Sequence, residues 1–278
     1  MTTVSFEFFP PKSDTAKDAL CEVAQSYKVL DPKFMTVTYG AGGSTRDGTL
    51  EMVTRLGEQT NVPMAAHLTF INTEKQALKD YTDMLWEKNI RHLVALRGDM
   101  PDDLQWPLDD DANYFQYTSD FVEALLRWHD FDISVGAYPE KHPDAPSMKD
   151  DLIALKKKCD AGATRAITQF FFVNDVYYKF VERLRAMQIH TPIVPGILPI
   201  HDYEKMLGFA ERCGANVPLW LREKFDRAET GDYGRIAQEL LNEQVADLVE
   251  QRVPHIHFYT LNKNEMVIEA CQNAGLPI

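Results

Sequence analysis

A glutamate set among phenylalanines is the first chemically suggestive feature of this chain: Ser5-Phe6-Glu7-Phe8-Phe9 runs directly into Pro10-Pro11. Apolar neighbours strip water from a carboxylate, so the pKa of Glu7 is expected to rise, which suits a general acid near neutral pH. A buried Glu paired with Arg or Lys from another strand has the same local sequence, and the residues alone leave both readings open. Arg97-Gly98-Asp99 places a forked cation and an acceptor on either side of a glycine that would let a planar ligand approach the backbone. A turn closed by a local ion pair is its plainer reading. Tyr39-Gly40-Ala41-Gly42-Gly43-Ser44-Thr45 could turn successive N–H groups toward an anion or cofactor. It is not the G-x-G-x-x-G of dinucleotide folds and reads equally as a plain glycine loop. Lys156-Lys157-Lys158 closes a helical stretch, where cations ordinarily complement the helix dipole. His255 and His257 form an H-x-H pair, but no third ligand stands at a matching strand end, so no metal is expected.

The elements that must position these residues alternate regularly. Short β-rich runs occur at Val4–Phe9, Phe34–Tyr39, Met64–Phe70, His92–Arg97, Asp132–Tyr138, Arg165–Phe171, Ile193–Leu198 and His255–Thr260. Amphipathic segments lie between them, such as Leu20, Val23, Ala24 and Tyr27, or Phe121, Ala124, Leu125 and Trp128. Pro63 and Pro192 open strands, and Gly162 and Gly214 follow helices. Such alternation predicts parallel strands with crossover helices. An open doubly wound sheet shows the same pattern, but eight units is the closing number of a (β/α)8 barrel of the TIM type, which takes about 250 residues. Residues 1–278 are read as one such domain, with added helices around Trp220–Phe225 and Tyr233–Val249 between strands seven and eight.

Period-two alternation then assigns faces. Val4, Phe6 and Phe8 should pack outward, which turns Glu7 into the barrel. The same test points Ala65, His67, Thr69, Arg97, Asp99, Ser134, Gly136, Tyr138, Ile167, Gln169 and Phe171 inward. Polar residues contributed by different strands would thus gather at the strand ends, where barrel sites form. A net charge of −13 argues against sequence-independent nucleic-acid binding and against an anionic membrane surface. No apolar run approaches the roughly 18–20 residues of a membrane helix, and no signal peptide is evident. The four cysteines are scattered and form no C-x-x-C pair, which suggests reduced thiols in helices and a cytoplasmic protein.

Seven segments resemble, in order, the motifs of bacterial methylenetetrahydrofolate reductases: Ser5–Pro11, Val37–Ser44, Ala95–Asp99, Ala137–Glu140, Ile167–Phe172, Pro195–Pro199 and His257–Asn262. The resemblance implies a flavoprotein oxidoreductase of one-carbon metabolism that supplies methionine biosynthesis. It would take hydride from NADH or NADPH onto FAD and reduce 5,10-methylenetetrahydrofolate to 5-methyltetrahydrofolate in a ping-pong cycle through flavin N5. By matching position, it implies Glu7 as the acid that protonates folate N10 and Asp99 as the group that orients the pterin and tunes the flavin. Gln169 would hydrogen-bond the pterin, Phe209 would stack on the aminobenzoate or the nicotinamide, and Lys205 and Lys263 would meet the folate tail. Thr38, Tyr39, Ala41, His67, Arg97, Gly98, Asp99, Thr118, Tyr138, His142, Ala145, Asp151, Lys157 and Lys158 would line FAD. Lys263, Lys205 and Ala154 stand where the family pattern carries Arg, Gln and Asn. A homo-oligomer is implied too. Competing readings are a flavin barrel of the proline dehydrogenase type, which would need arginines near the final helix, and a non-catalytic flavin- or folate-binding subunit. Asn262–Ile278 carries only Lys263 as a basic residue, and Glu7, Asp99 and Gln169 stand together, against either alternative.

Overall fold

Nine short strands line up in the order β7-β6-β5-β4-β3-β2-β1-β9-β8, every pairing parallel. They are β1 (Thr3–Phe8), β2 (Phe34–Val37), β3 (Met64–Thr69), β4 (His92–Leu96), β5 (Asp132–Ala137), β6 (Arg165–Thr168), β7 (Ile193–Val194), β8 (Gly196–Ile197) and β9 (His255–Tyr259). The structure is a computed structural model and describes residues 1–39, 46–100, 107–108 and 112–276. Pro195 has no N–H to give, so it splits the seventh strand into β7 and β8. β7 pairs with β6 and β8 pairs with β9, while the Pro195 carbonyl accepts the His257 N–H at 2.9 Å. The two pieces therefore act as one strand that closes an eight-stranded barrel, as the alternation predicts.

Helices α1 (Asp14–Ser26), α2 (Arg46–Thr60), α3 (Lys75–Glu87), α4 (Thr118–Trp128), α5 (Met148–Asp160) and α6 (Asn174–Ala186) follow the first six strands. Ser13 and Ser147 cap α1 and α5 by accepting backbone N–H bonds. Gly162 after α5, with φ 111°, takes a left-handed conformation in which a side chain would also strike Leu126. Three helices, α7 (Tyr203–Cys213), α8 (Leu219–Asp226) and α9 (Tyr233–Glu250), separate β8 from β9, and α10 (Glu265–Asn273) ends the order. The long α9 sends Leu241, Val245 and Leu248 into the main core and so occupies the ring position. The additions are α7 and α8. Their Tyr203, Met206, Ala210, Leu221 and Phe225 form a second core with Phe170, Leu198 and the start of α9.

The main core lies between strands and ring helices, and Phe6 stacks on Tyr27 with centroids 3.9 Å apart. A small inner core of Phe34, Ala65, Val94, Ile167 and Val194 fills the barrel axis. Two face assignments need correction. β6 stops at Thr168, so alternation no longer governs Phe171, which joins the outer core against Tyr177. On β4 the inward residues are Val94 and Leu96, not the set containing Arg97 and Asp99; the strand ends at Leu96 and Gly98, at φ 98°, redirects the chain. Among the described residues no helix is long and apolar enough to cross a membrane. Cys21, Cys159, Cys213 and Cys271 are free thiols on helices.

Candidate active site

Glu7 projects inward from β1, level with Thr36 on β2 and Tyr259 on β9. Its Oε2 lies 3.2 Å from His67 Nε2 and 3.4 Å from His257 Nε2. The carboxylate keeps 18% exposure, so it is reachable from outside while His257 is fully enclosed. His67 Nε2 also stands 3.3 Å from Thr36 Oγ1. Burial pushes the Glu7 pKa up, yet the His67 and His257 imidazoles outweigh burial and hold it down to about 2. The rise expected from the flanking phenylalanines is therefore wrong in sign: Phe6 and Phe8 face the outer core, and the partners that matter are two imidazoles from β3 and β9. The alternative of a structural pair with Arg or Lys also fails, because both partners are histidines.

The segment after Glu7 is pinned. Asn262 accepts the Phe9 N–H at 3.0 Å and donates to the Phe9 carbonyl at 2.8 Å, and the Thr260 hydroxyl donates to the Glu7 carbonyl at 2.7 Å. Tyr259 crosses to donate to the Thr168 carbonyl at 2.7 Å. A Cβ at Gly196 would lie 2.2 Å from that carbonyl and 2.6 Å from the Tyr259 ring, so only glycine admits the crossing.

A second group gathers around the loop after β5. Arg97 pairs with Asp144 at 2.7 Å, so its ion-pair partner is not Asp99. Tyr138 meets His142 edge to face at 4.4 Å, and Asp151 accepts the His142 N–H at 2.8 Å. The Ala145 N–H donates to the His142 carbonyl. Lys158 donates to the Gly136 carbonyl at 2.5 Å, and burial pushes its pKa down. Burial likewise lifts the Tyr138 hydroxyl to about 12 and lowers His142. Lys157 is exposed, and Thr118 opens α4 with no bond to this group among the described residues. Thr38 sits at the end of β2 with its Oγ1 buried and without a hydrogen-bond partner, next to the half-buried Tyr39. Ala41, with most of its glycine loop, lies outside the described residues.

The remaining candidates make no side-chain bond to these two groups among the described residues. Gln169 folds its Oε1 back on the Phe170 N–H at 3.0 Å. Phe209 lies in the second core with Arg212 over its ring at 5.0 Å. Lys205 pairs with Asp202 on the surface, and Asp99 and Lys263 are exposed. Alternation alone did not single out Thr36, Tyr259 or His201, whose Nε2 is buried and unpartnered. His257 was visible only as half of an H-x-H pair. Its inward position beside Glu7 follows from pairing Ser5 with His257 across β1 and β9.

A closed parallel barrel whose polar residues converge at the strand ends is of the TIM type. Solved structures share this fold. A Clostridium thermocellum protein that binds two copies of 5-methyl-5,6,7,8-tetrahydrofolic acid superposes with a TM-score of 0.65 at 15% identity, over 99% of this chain and 93% of that one. A 2,3-dimethylmalate lyase gives a TM-score of 0.53 at 9% identity, over 92% and 74%. At these identities the likeness is one of fold. The sequence goes further. The family model described as methylenetetrahydrofolate reductase matches residues 1–275. The 5,10-methylenetetrahydrofolate reductases of Pectobacterium carotovorum and Escherichia coli are 40% and 38% identical over 275 residues, 98% of this chain and 90% of each relative. Methylenetetrahydrofolate reductase (NADH) 1 of Arabidopsis thaliana is 33% identical over 99% of this chain and 48% of its own length. The chain belongs to the methylenetetrahydrofolate reductase family.

Proposed function

We propose that this barrel, residues 1–278, reduces 5,10-methylenetetrahydrofolate to 5-methyltetrahydrofolate with NADH or NADPH by way of FAD, with Glu7 as general acid. The observation that carries this reading is the inward Glu7 carboxylate, still partly exposed, held against two imidazoles in a chain of this family. The residues present suit a flavin. Thr38 offers a buried hydroxyl without a partner, and Lys158 a buried amine near Asp151, as a polar, phosphate-bearing cofactor would require. Arg97, Tyr138, His142, Ala145 and Asp151 lie with Lys158 in the group around the loop after β5, Gly98 follows Arg97, and FAD, when bound, supplies the hydride chemistry.

In the resting site Glu7 is ionised and accepts hydrogen bonds from His67 and His257. A pterin ring over the mouth replaces water around the carboxylate, which favours its protonated form. Glu7 then passes that proton to folate N10 and opens the five-membered ring to a 5-iminium cation. Asp99 orients the pterin, Gln169 hydrogen-bonds it, Phe209 stacks on the aminobenzoate or the nicotinamide, and Lys205 and Lys263 meet the anionic tail.

The test separates the two halves of the cycle. Purified protein carries the flavin chromophore or takes up added FAD, and rapid mixing measures flavin reduction by NAD(P)H and then reoxidation by 5,10-methylenetetrahydrofolate. Glu7→Gln keeps the first and loses the second. Absence of a flavin, or equal loss of both half-reactions, overturns the assignment.

A further inference from the structure

Glu7 stands at the upper end of a line of hydrogen bonds that descends to the opposite rim of the barrel. Below it, His257 Nε2 lies 3.4 Å from Oε2, and His257 Nδ1 lies 2.7 Å from Ser5 Oγ. Ser5 Oγ is 2.8 Å from His255 Nε2, and His255 Nδ1 is 2.6 Å from Thr3 Oγ1. The line uses alternate residues of two paired strands, with Thr3 opposite His255 and Ser5 opposite His257, so strand register alone builds it. One arrangement of hydrogens satisfies every link. Each imidazole carries hydrogen on Nε2, each hydroxyl donates to the Nδ1 above it, and all donors point toward Glu7. Ser5 and His257 are fully buried, while Thr3 and His255 at the rim are partly accessible. The Phe34 ring lies along both imidazoles, at 5.5 Å and 6.1 Å, and fixes their planes.

We propose that this line carries protons from solvent at the barrel floor to Glu7, recharging the acid while ligands cover the mouth. The proposal rests on the functional reading above. In each turnover one proton leaves Glu7 for the substrate nitrogen, and one enters at His255 from water. Between them hydrogens hop through Ser5 and His257, each O–H or N–H bond broken below matched by one formed above. No electron moves along the line. A relay imidazole must be neutral, so that one nitrogen accepts while the other donates. His255 meets that condition: burial first, with the Arg165 and Lys33 cations, pushes its pKa down to about 3. Thr3, Ser5 and Phe34 complete its surroundings and carry no charge.

The test uses the FAD-loaded enzyme and three variants, Ser5→Ala, His255→Phe and Thr3→Val. Reoxidation by 5,10-methylenetetrahydrofolate, measured in H2O and in D2O, is expected to slow about tenfold or more in Ser5→Ala and His255→Phe, with a larger solvent isotope effect. Reduction by NAD(P)H is expected to stay within about twofold. Thr3→Val, at the rim, is expected to show a smaller change in the same direction. Imidazole 15N NMR on the protein as isolated gives a readout without turnover: both rings carry hydrogen on Nε2, and Ser5→Ala shifts the His257 resonances. Unchanged reoxidation and isotope effect in Ser5→Ala overturn the path alone, as do Nδ1-protonated rings or equal slowing of both half-reactions. A wild-type protein that does not turn over the folate overturns the functional reading as well.

Discussion

Both ends of the barrel are lined with polar side chains, yet they treat them in opposite ways. At the floor, Arg165 donates to His92 at 2.8 Å and to Ser134 at 3.0 Å, and pairs with Asp132 at 2.7 Å, while Phe34 packs against His92 and beneath the guanidinium. Each of these polar groups has a partner. At the mouth, Thr38 Oγ1 and His201 Nε2 are buried and unpartnered, and Asp99 and Lys263 are open to solvent. An unmet buried polar atom is destabilising by about 1–3 kcal/mol, so a fold keeps one only where something else supplies the bond. The floor is closed on itself and stabilises the fold. The mouth leaves polar groups unmet, which under the proposed function would serve a ligand.

The sharpest way to test that contrast is at Glu7, which belongs to the mouth by access and to the buried histidines by bonding. Glu7→Gln is expected to slow reoxidation by folate about 10²- to 10⁴-fold, the usual worth of a positioned acid, with flavin reduction nearly intact. Stopped-flow absorbance at the flavin band measures both.

Acid should attack the floor first. Burial and the Arg165 cation hold His92 down to about 3, and His255 is held there too, so both are neutral in the fold and protonated below about 6.5 once unfolded. A depressed histidine makes its full contribution above the unfolded pKa and loses it as pH falls from about 6.5 toward 3. Glu7, depressed to about 2, adds a loss between about 4.5 and 2. Melting temperature should therefore decline steadily below pH 6.5. His92→Phe should flatten that slope; an unchanged slope would remove His92 from the explanation.

A matched pair of small substitutions then compares the two ends directly. Ser134→Ala strands the His92 and Arg165 bonds at the floor and is expected to reduce stability by about 1–3 kcal/mol with flavin affinity unchanged. Thr38→Val at the mouth removes a hydroxyl that has no protein partner. Its expected signature is the reverse: stability kept or slightly raised, and FAD bound about fivefold to tenfold more weakly, one hydrogen bond's worth. Thermal melts of the apoprotein and flavin titration read both quantities. If both variants behave alike, the contrast between the ends is false.

The strand framework was more legible in the sequence than the side-chain networks at either end of the barrel. Alternation in Val4–Phe9 turned Glu7 inward correctly because the Phe6 and Phe8 side chains have only the outer core to fill. The same rule failed at Phe171, beyond the end of β6, and at Arg97–Asp99, where the phase was wrong because Val94 and Leu96 are the inward residues of β4. The sign of the Glu7 shift was not legible, because it is set by His67 and His257, far along the chain on other strands. Arg97 likewise finds Asp144, in the loop after the neighbouring β5, rather than Asp99 close by in sequence. The split at Pro195 was implicit in proline's missing N–H, but only the paired strands show that the halves bond to different partners.

The smallest expected effect lies at the outer edge of the mouth. Lys263 is exposed, and its backbone carbonyl is held by the Tyr27 hydroxyl at 2.6 Å, so the chain beneath the side chain is fixed while the amine is free to move. A lysine there meets a carboxylate as a point charge, whereas arginine offers a planar fork with two parallel bonds. Solvent screens such exposed contacts, which keeps them near 0–1 kcal/mol. Lys263→Arg is thus expected to lower KM for a glutamate-bearing folate by at most about fivefold, with kcat and flavin reduction untouched. The gain should shrink as salt is added, since an exposed pair is screened within about 10 Å at 0.1 M. A change in kcat, or a KM insensitive to salt, would move Lys263 from the substrate's tail to some other task.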